Sequence, residues 1–114
     1  MHRTFIYSSL FLKRLEGQGD SGDKCRQIEN EILNNPEVGD IVAGTGGVRK
    51  FRVSDANRGK GKRGGIRVFF LDLSHVAKTH ILFLLYKGEA ADLNENERKA
   101  IRELVLVLKK ESKP

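Results

Sequence analysis

Val48-Arg49-Lys50-Phe51-Arg52-Val53, Gly65-Ile66-Arg67-Val68-Phe69-Phe70-Leu71-Asp72-Leu73 and Thr79-His80-Ile81-Leu82-Phe83-Leu84-Leu85-Tyr86-Lys87 are three runs rich in β-branched and aromatic residues. Glycine or polar residues bound each run, the pattern of successive strands. Their connections are short, which predicts an antiparallel meander rather than parallel crossovers. Successive side chains on a strand alternate faces. Phe51 and Val53 therefore share one face of the first run, and Lys50 and Arg52 the other. In the second, Ile66, Val68 and Phe70 share a face while Arg67 points opposite with Phe69. If the apolar faces meet helices, Lys50, Arg52 and Arg67 converge on the outer face beside Phe69. Residues 81–85 are apolar throughout, so the third run should be central and covered on both sides. Lys87 has the parity of Ile81, Phe83 and Leu85 and would stand at the rim of the cationic face.

Outward from these runs, residues 2–7 read as a first strand. Ser8 or Ser9 then caps a short helix carrying Phe11, Leu12 and Leu15. Asp20 or Ser21 starts a second helix, with Cys25, Ile28, Ile32 and Leu33 as its apolar stripe. Asn34-Asn35-Pro36 ends it, because the residue before proline is pushed out of the helical region. Asn94 caps a last helix, with Glu97 completing a capping box, and Ile101, Leu104, Val105 and Leu108 recur at amphipathic spacing. The order is β-α-α-β-β-β-α, an α+β chain with two N-terminal helices, one C-terminal helix and about four strands. Residues 1–114 fit a single domain, with a glycine-rich basic loop at about 54–64 expected to be mobile and a charged tail at about 110–114 expected to fray.

Composition narrows the function. Apolar residues make up 39% of the chain, enough for a modest core and not for a large enclosed pocket. The lone Cys25 allows no internal disulfide and reads as a core filler. No stretch approaches the apolar length of a membrane span, and the first residues lack a signal-peptide core, so a cytoplasmic protein is expected. The net charge of +6 is concentrated in one place: residues 49–67 hold eight basic residues against Asp55 alone, a local +7, and the remainder nets −1. Arg49, Lys50, Arg52, Arg58, Lys60, Lys62, Arg63 and Arg67 thus form the footprint of a polyanion binder. Cations with an aromatic nearby suit a bent phosphodiester and a stacked base, which gives Phe69 an expected RNA-binding role.

Other chemistries fail on context. Gly59-Lys60-Gly61-Lys62-Arg63-Gly64 spells a dinucleotide fingerprint by letter, but a strand follows it and not a helix. No Ser or Thr follows Lys62 to make a phosphate loop, and His2, His75 and His80 have no ligand spacing.

Pro36-Glu37-Val38-Gly39-Asp40, Gly44-Thr45-Gly46-Gly47-Val48-Arg49-Lys50, the block 59–68 and Lys87-Gly88-Glu89-Ala90-Ala91-Asp92-Leu93 resemble the RelE/HigB superfamily of type II toxin–antitoxin toxins, and most nearly its HigB-like branch. The similarity runs along nearly the whole chain in order. It implies the compact RelE-like antiparallel sheet with flanking helices, and an mRNA interferase that cleaves mRNA in the ribosomal A site by attack of the 2′-hydroxyl, with no metal or small-molecule cofactor. By motif, Lys50, Arg52, Arg67 and Lys87 match the catalytic cations, while Arg49, Arg58, Lys60, Lys62, Arg63 and Phe69 fall to RNA and ribosome binding. The implied partners are the 70S ribosome, mRNA and a cognate HigA-like helix-turn-helix antitoxin, with no membrane. The chain departs from the pattern in two places: no aromatic follows Tyr86 where RelE has a C-terminal tyrosine, and position 88 is Gly where many relatives have Asn. A non-catalytic DNA gyrase inhibitor of the ParE kind, or a basic RNA-binding protein without cleavage, are the alternative functions.

Overall fold

The computed structural model describes residues 3–16, 21–54, 65–86, 88–90 and 92–112 of the 114-residue chain. Strand β1 (Thr4–Tyr7) leads into α1 (Ser9–Leu15) and α2 (Ser21–Asn34). Then come β2 (Asp40–Ile41), β3 (Arg49–Val53), β4 (Ile66–Leu73), a 3₁₀ turn (Ser74–Val76), β5 (Lys78–Tyr86) and α3 (Glu95–Glu111). The caps form where the sequence places them. Ser8 accepts the Phe11 N–H at 2.9 Å, and Asn94 and Glu97 form a reciprocal capping box at 2.7 and 2.8 Å. Helix α3 runs on to Glu111 with Ser112 closing it, so it reaches into the tail expected to fray, of which 113 and 114 lie outside the described residues.

The sheet has five strands in the order β1-β5-β4-β3-β2. The meander β3-β4-β5 is antiparallel as expected, and β2 adds a two-residue antiparallel strand at Lys50 and Arg49. The sheet as a whole is mixed, because β1 lies parallel to β5, pairing Thr4 with Lys78 and Tyr7 with Ile81. No hairpin joins these two strands, and side-chain bonds add to the backbone ladder between them. Arg3, its side chain 4% exposed, donates to both carboxylate oxygens of Asp72 at 2.9 and 2.7 Å, and Thr79 donates to the same carboxylate at 2.8 Å. Burial pushes the Asp72 carboxyl up, but the hydrogen bonds from Arg3 and Thr79 and the arginine charge outweigh it and hold it below its ordinary value.

Two cores sandwich the sheet. Phe11, Leu15, Ile28 and Ile32 of α1 and α2 pack on Phe51, Val53, Ile66, Val68, Phe70, Ile81 and Leu84. On the other face, Ile101 and Val105 of α3 pack on Val48, Phe69, Leu71, Leu82, Phe83 and Leu85. Both faces of β5 are therefore covered, and β1 lies outside it for only part of its length. Beyond β1 the free edge is closed by side chains: Ser8 Oγ donates to the Leu82 carbonyl at 2.6 Å and Arg14 Nε to the Leu84 carbonyl at 2.8 Å.

A register shift between β4 and β5 re-phases the third strand of the meander. Phe69 pairs with Phe83 while Phe70 pairs with Ile81, leaving Leu82 as the extra residue of a bulge. Leu82 and Phe83 consequently face α3 together, and Ile81 turns to α1 and α2. The single parity expected for Ile81, Phe83 and Leu85 is thus broken at this point.

Candidate nucleic-acid interface

The sheet register brings two of the expected cations face to face. Arg52 of β3 and Arg67 of β4 are direct cross-strand partners, with Val53 opposite Ile66 and Phe51 opposite Val68. The apolar members of these strands enter the α1/α2 core, so both arginines project on the α3 side, beyond the part that α3 covers. Like charges directly opposite one another destabilise a sheet, and an anion held between them relieves the repulsion. Arg52 is exposed and has no ion-pair partner among the described residues.

Both arginines line a cleft of about 190 Å³ between the strand ends and the turn at 88–90. Gly65, Leu85 and Glu89 are also part of its lining. A side chain at Gly65 would place its Cβ 3.3 Å from the Val53 carbonyl oxygen, a tight approach, and in ordinary contact with Arg52 Nη2 at 3.7 Å. Gly88 has φ 99°, in the left-handed half of the map where glycine is at ease and asparagine the most tolerant of the other residues.

A closed ring of bonds fixes the turn at 88–90. Arg14 Nη2 donates to both oxygens of Glu89 at 2.5 and 2.7 Å, Glu89 accepts the Tyr86 N–H at 2.7 Å, and the Tyr86 hydroxyl donates back to the Arg14 carbonyl at 2.5 Å. The Arg14 guanidinium also lies 4.9 Å from the centre of the Phe83 ring. Arg14's hydrogen bonds, then the Tyr86 N–H, hold the Glu89 carboxyl below its ordinary value and outweigh its partial burial. Glu89 is therefore a poor proton acceptor at neutral pH. The Tyr86 hydroxyl is committed to α1, on the opposite side from the arginine pair.

Lys50 is held apart from this cleft. It lies on the same face as Arg52, two residues earlier on β3, yet its Nζ donates to Asp92 Oδ2 at 2.9 Å and it is absent from the cleft lining. Asp92 is itself anchored: its Oδ1 accepts the Leu93 N–H at 2.7 Å, and Arg98 stands 4.0 Å away. Burial pushes the Asp92 carboxyl up, but the Lys50 and Leu93 hydrogen bonds and the charges of Lys50 and Arg98 hold it below its ordinary value. Lys50 thus faces a carboxylate in the free protein.

Phe69 requires a correction. Its side chain is 0% exposed, packed under α3 with its ring 6.1 Å from that of Phe83, and it offers no face to a nucleobase. The outer face expected from strand parity is largely the seat of α3. Arg49 points to the other side of the sheet, where Nη1 donates to the carbonyls of Glu37 and Gly39 at 2.8 and 3.1 Å and braces that turn. Arg58, Lys60, Lys62, Arg63 and Lys87, with the loop 55–64, lie outside the described residues. Sequence reasoning had assigned no role to Arg14, Glu89 or Asp92. The available signal was the pair of acids directly after the last strand, in a molecule whose charge excess lies on the neighbouring strands.

A larger groove of about 790 Å³ lies against α1 and α2, lined by Leu10, Leu12, Leu15, Cys25 and a single lysine, Lys13. Among the described residues its lining holds no paired cations, in contrast to the smaller cleft with Arg52 and Arg67.

No protein-family model matches the sequence. Among solved structures, a doubly substituted E. coli toxin RelE in the free state superposes with a TM-score of 0.61 at 16% identity, covering 89% of this chain and 99% of that one. The isolated E. coli RelE toxin in another crystal form gives 0.53 at 13% identity, covering 90% and 98%. The chain has the RelE fold. At this identity the likeness reaches the whole length of RelE and concerns architecture: an α+β unit of three helices and a mixed five-stranded sheet. Among the described residues no helix is long and apolar enough to cross a membrane.

Proposed function

We propose that the chain is the toxin of a type II toxin–antitoxin module and acts as a ribosome-dependent mRNA endoribonuclease. The observation that carries the reading is the Arg52–Arg67 pair, opposed on the wall of a cleft, in a chain with the RelE fold. In the reaction the 2′-oxygen of one nucleotide attacks the adjacent phosphorus. The O2′–P bond forms, the P–O5′ bond breaks, and the products are a 2′,3′-cyclic phosphate and a 5′-hydroxyl. Negative charge builds on the non-bridging oxygens at the transition state. Two guanidiniums aimed at those oxygens stabilise it, each by about 3–4 kcal/mol when well placed. Lys50 and Lys87 complete the cationic set as charge donors. Arg58, Lys60, Lys62 and Arg63 attach the ribosome and the RNA backbone, and contribute mainly to salt-dependent affinity. The reading needs no metal or cofactor. It places the protein in the cytoplasm beside a HigA-like helix-turn-helix antitoxin and follows the HigB-like branch.

Primer extension on a translating mRNA tests it, with the wild type, Arg67→Ala and Arg58→Ala, each with and without ribosomes. Cuts within codons that require ribosomes, vanish in Arg67→Ala and persist in Arg58→Ala are the expected result. Intact mRNA with folded, ribosome-bound protein would refute the nuclease. Gyrase-linked DNA damage in that case would reassign the chain to the ParE kind, and RNA retention alone to a binding protein.

A further inference from the structure

The strand that presents Arg52 also carries Lys50, and both side chains leave the same face of β3 about 7 Å apart along the strand. Only Arg52 reaches the cleft. Lys50 is drawn to Asp92, in the segment that enters α3, and Asp92 is fixed there by the Leu93 N–H and the nearby Arg98. The aspartate is anchored by its own further contacts, while the lysine reaches it at the end of a four-carbon stem. We propose that Asp92 is a positioning residue of the polyanion site: an internal anion that keeps Lys50 off the cleft in the free protein, and that a substrate phosphate must displace. This rests on the reading that the face takes an RNA backbone, but not on cleavage. Asp92 neutralises the Lys50 ammonium while the site is empty, and gives way when a phosphate beside Arg52 offers Lys50 the same negative charge.

The substitution that isolates the effect is Asp92→Asn, which keeps an oxygen acceptor for the Leu93 N–H and removes the charge. The probe is a fluorescein-labelled, fully 2′-O-methylated oligouridine of about ten nucleotides, which cannot be cut by 2′-oxygen attack. Its affinity is measured by anisotropy for wild type, Asp92→Asn, Lys50→Met and the double variant. Breaking a partly exposed ion pair predicts about two- to fivefold tighter binding for Asp92→Asn over wild type. No gain is expected when Asp92→Asn is added to Lys50→Met. An equal gain in the Lys50→Met background would overturn the proposal, because it would show a charge effect that bypasses Lys50. A second readout needs no RNA: amine labelling of Lys50, followed by peptide mass spectrometry. Faster labelling in Asp92→Asn than in wild type supports the latch, and equal rates refute it. Failure of the wild type to bind the oligonucleotide would count against the RNA-backbone reading, while the labelling comparison still decides the fate of the latch.

Discussion

Arg52→Gln should make the protein slightly more stable and far less active, and the two effects should part company with salt. Arg52 and Arg67 face each other across β3 and β4, where Cβ atoms lie about 5 Å apart and long side chains splay their charges to about 7 Å. In water-like surroundings two unit charges at that distance repel by about 0.6 kcal/mol. A Debye length of about 10 Å at 0.1 M salt halves this to about 0.3 kcal/mol, and one of about 3 Å at 1 M leaves less than about 0.1 kcal/mol. For 114 residues the unfolding entropy is about 0.24 kcal/mol per kelvin, so neutralising Arg52 should raise Tm by about 1 °C at low salt and by nothing measurable at 1 M. Differential scanning calorimetry at the two salt concentrations reads this directly. On the proposed function the same change removes one transition-state donor and should lower the cleavage rate about a hundred- to a thousandfold. A Tm that falls by several degrees at both salt concentrations would refute the reasoning, since it would make Arg52 a structural member of the sheet.

Two further predictions concern the scaffold. Gly39 has φ 81°, and a Cβ there would lie 1.9 Å from the Lys50 carbonyl oxygen, so Gly39→Ala should cost about 3 kcal/mol or more, read as a drop of about 12 °C in Tm. Asp72 titrates below its ordinary value in the folded state, so its contribution is fully present above the unfolded carboxylate pKa of about 3.9 and is lost as pH falls through the folded value. Asp72→Asn should therefore destabilise by about 3 kcal/mol at pH 7, by removing the carboxylate charge that Arg3 and Thr79 hold, and the gap to wild type in urea midpoints should narrow as the pH is lowered below about 4.

The local grammar of this chain is explicit in its residues. Ser8 and the Asn94–Glu97 box cap their helices, Asn35-Pro36 stops α2, and the alternation in residues 48–53 separates Phe51 and Val53 from Lys50 and Arg52. These choices rest on near neighbours in the chain, so sequence alone determines them, whereas the register that sets Arg52 against Arg67 belongs to the assembled sheet. What the sequence could not decide depends on residues far apart in the chain. Leu82 became the bulge because two packed faces, with α1 and α2 on one side and α3 on the other, fixed where Ile81 and Phe83 had to point. Phe69 alternates as a surface residue would, yet lies buried because α3 returns over it from a segment some thirty residues later. Strand β1 lies parallel to β5, and Arg3 beside it reaches Asp72 of β4, a contact 69 residues apart in sequence. Asp92 found Lys50 across 42 residues. Strand parity tells which side a residue leaves the sheet, but only the closed fold determines what waits there, because burial and counter-charges are properties of the surroundings and not of the strand.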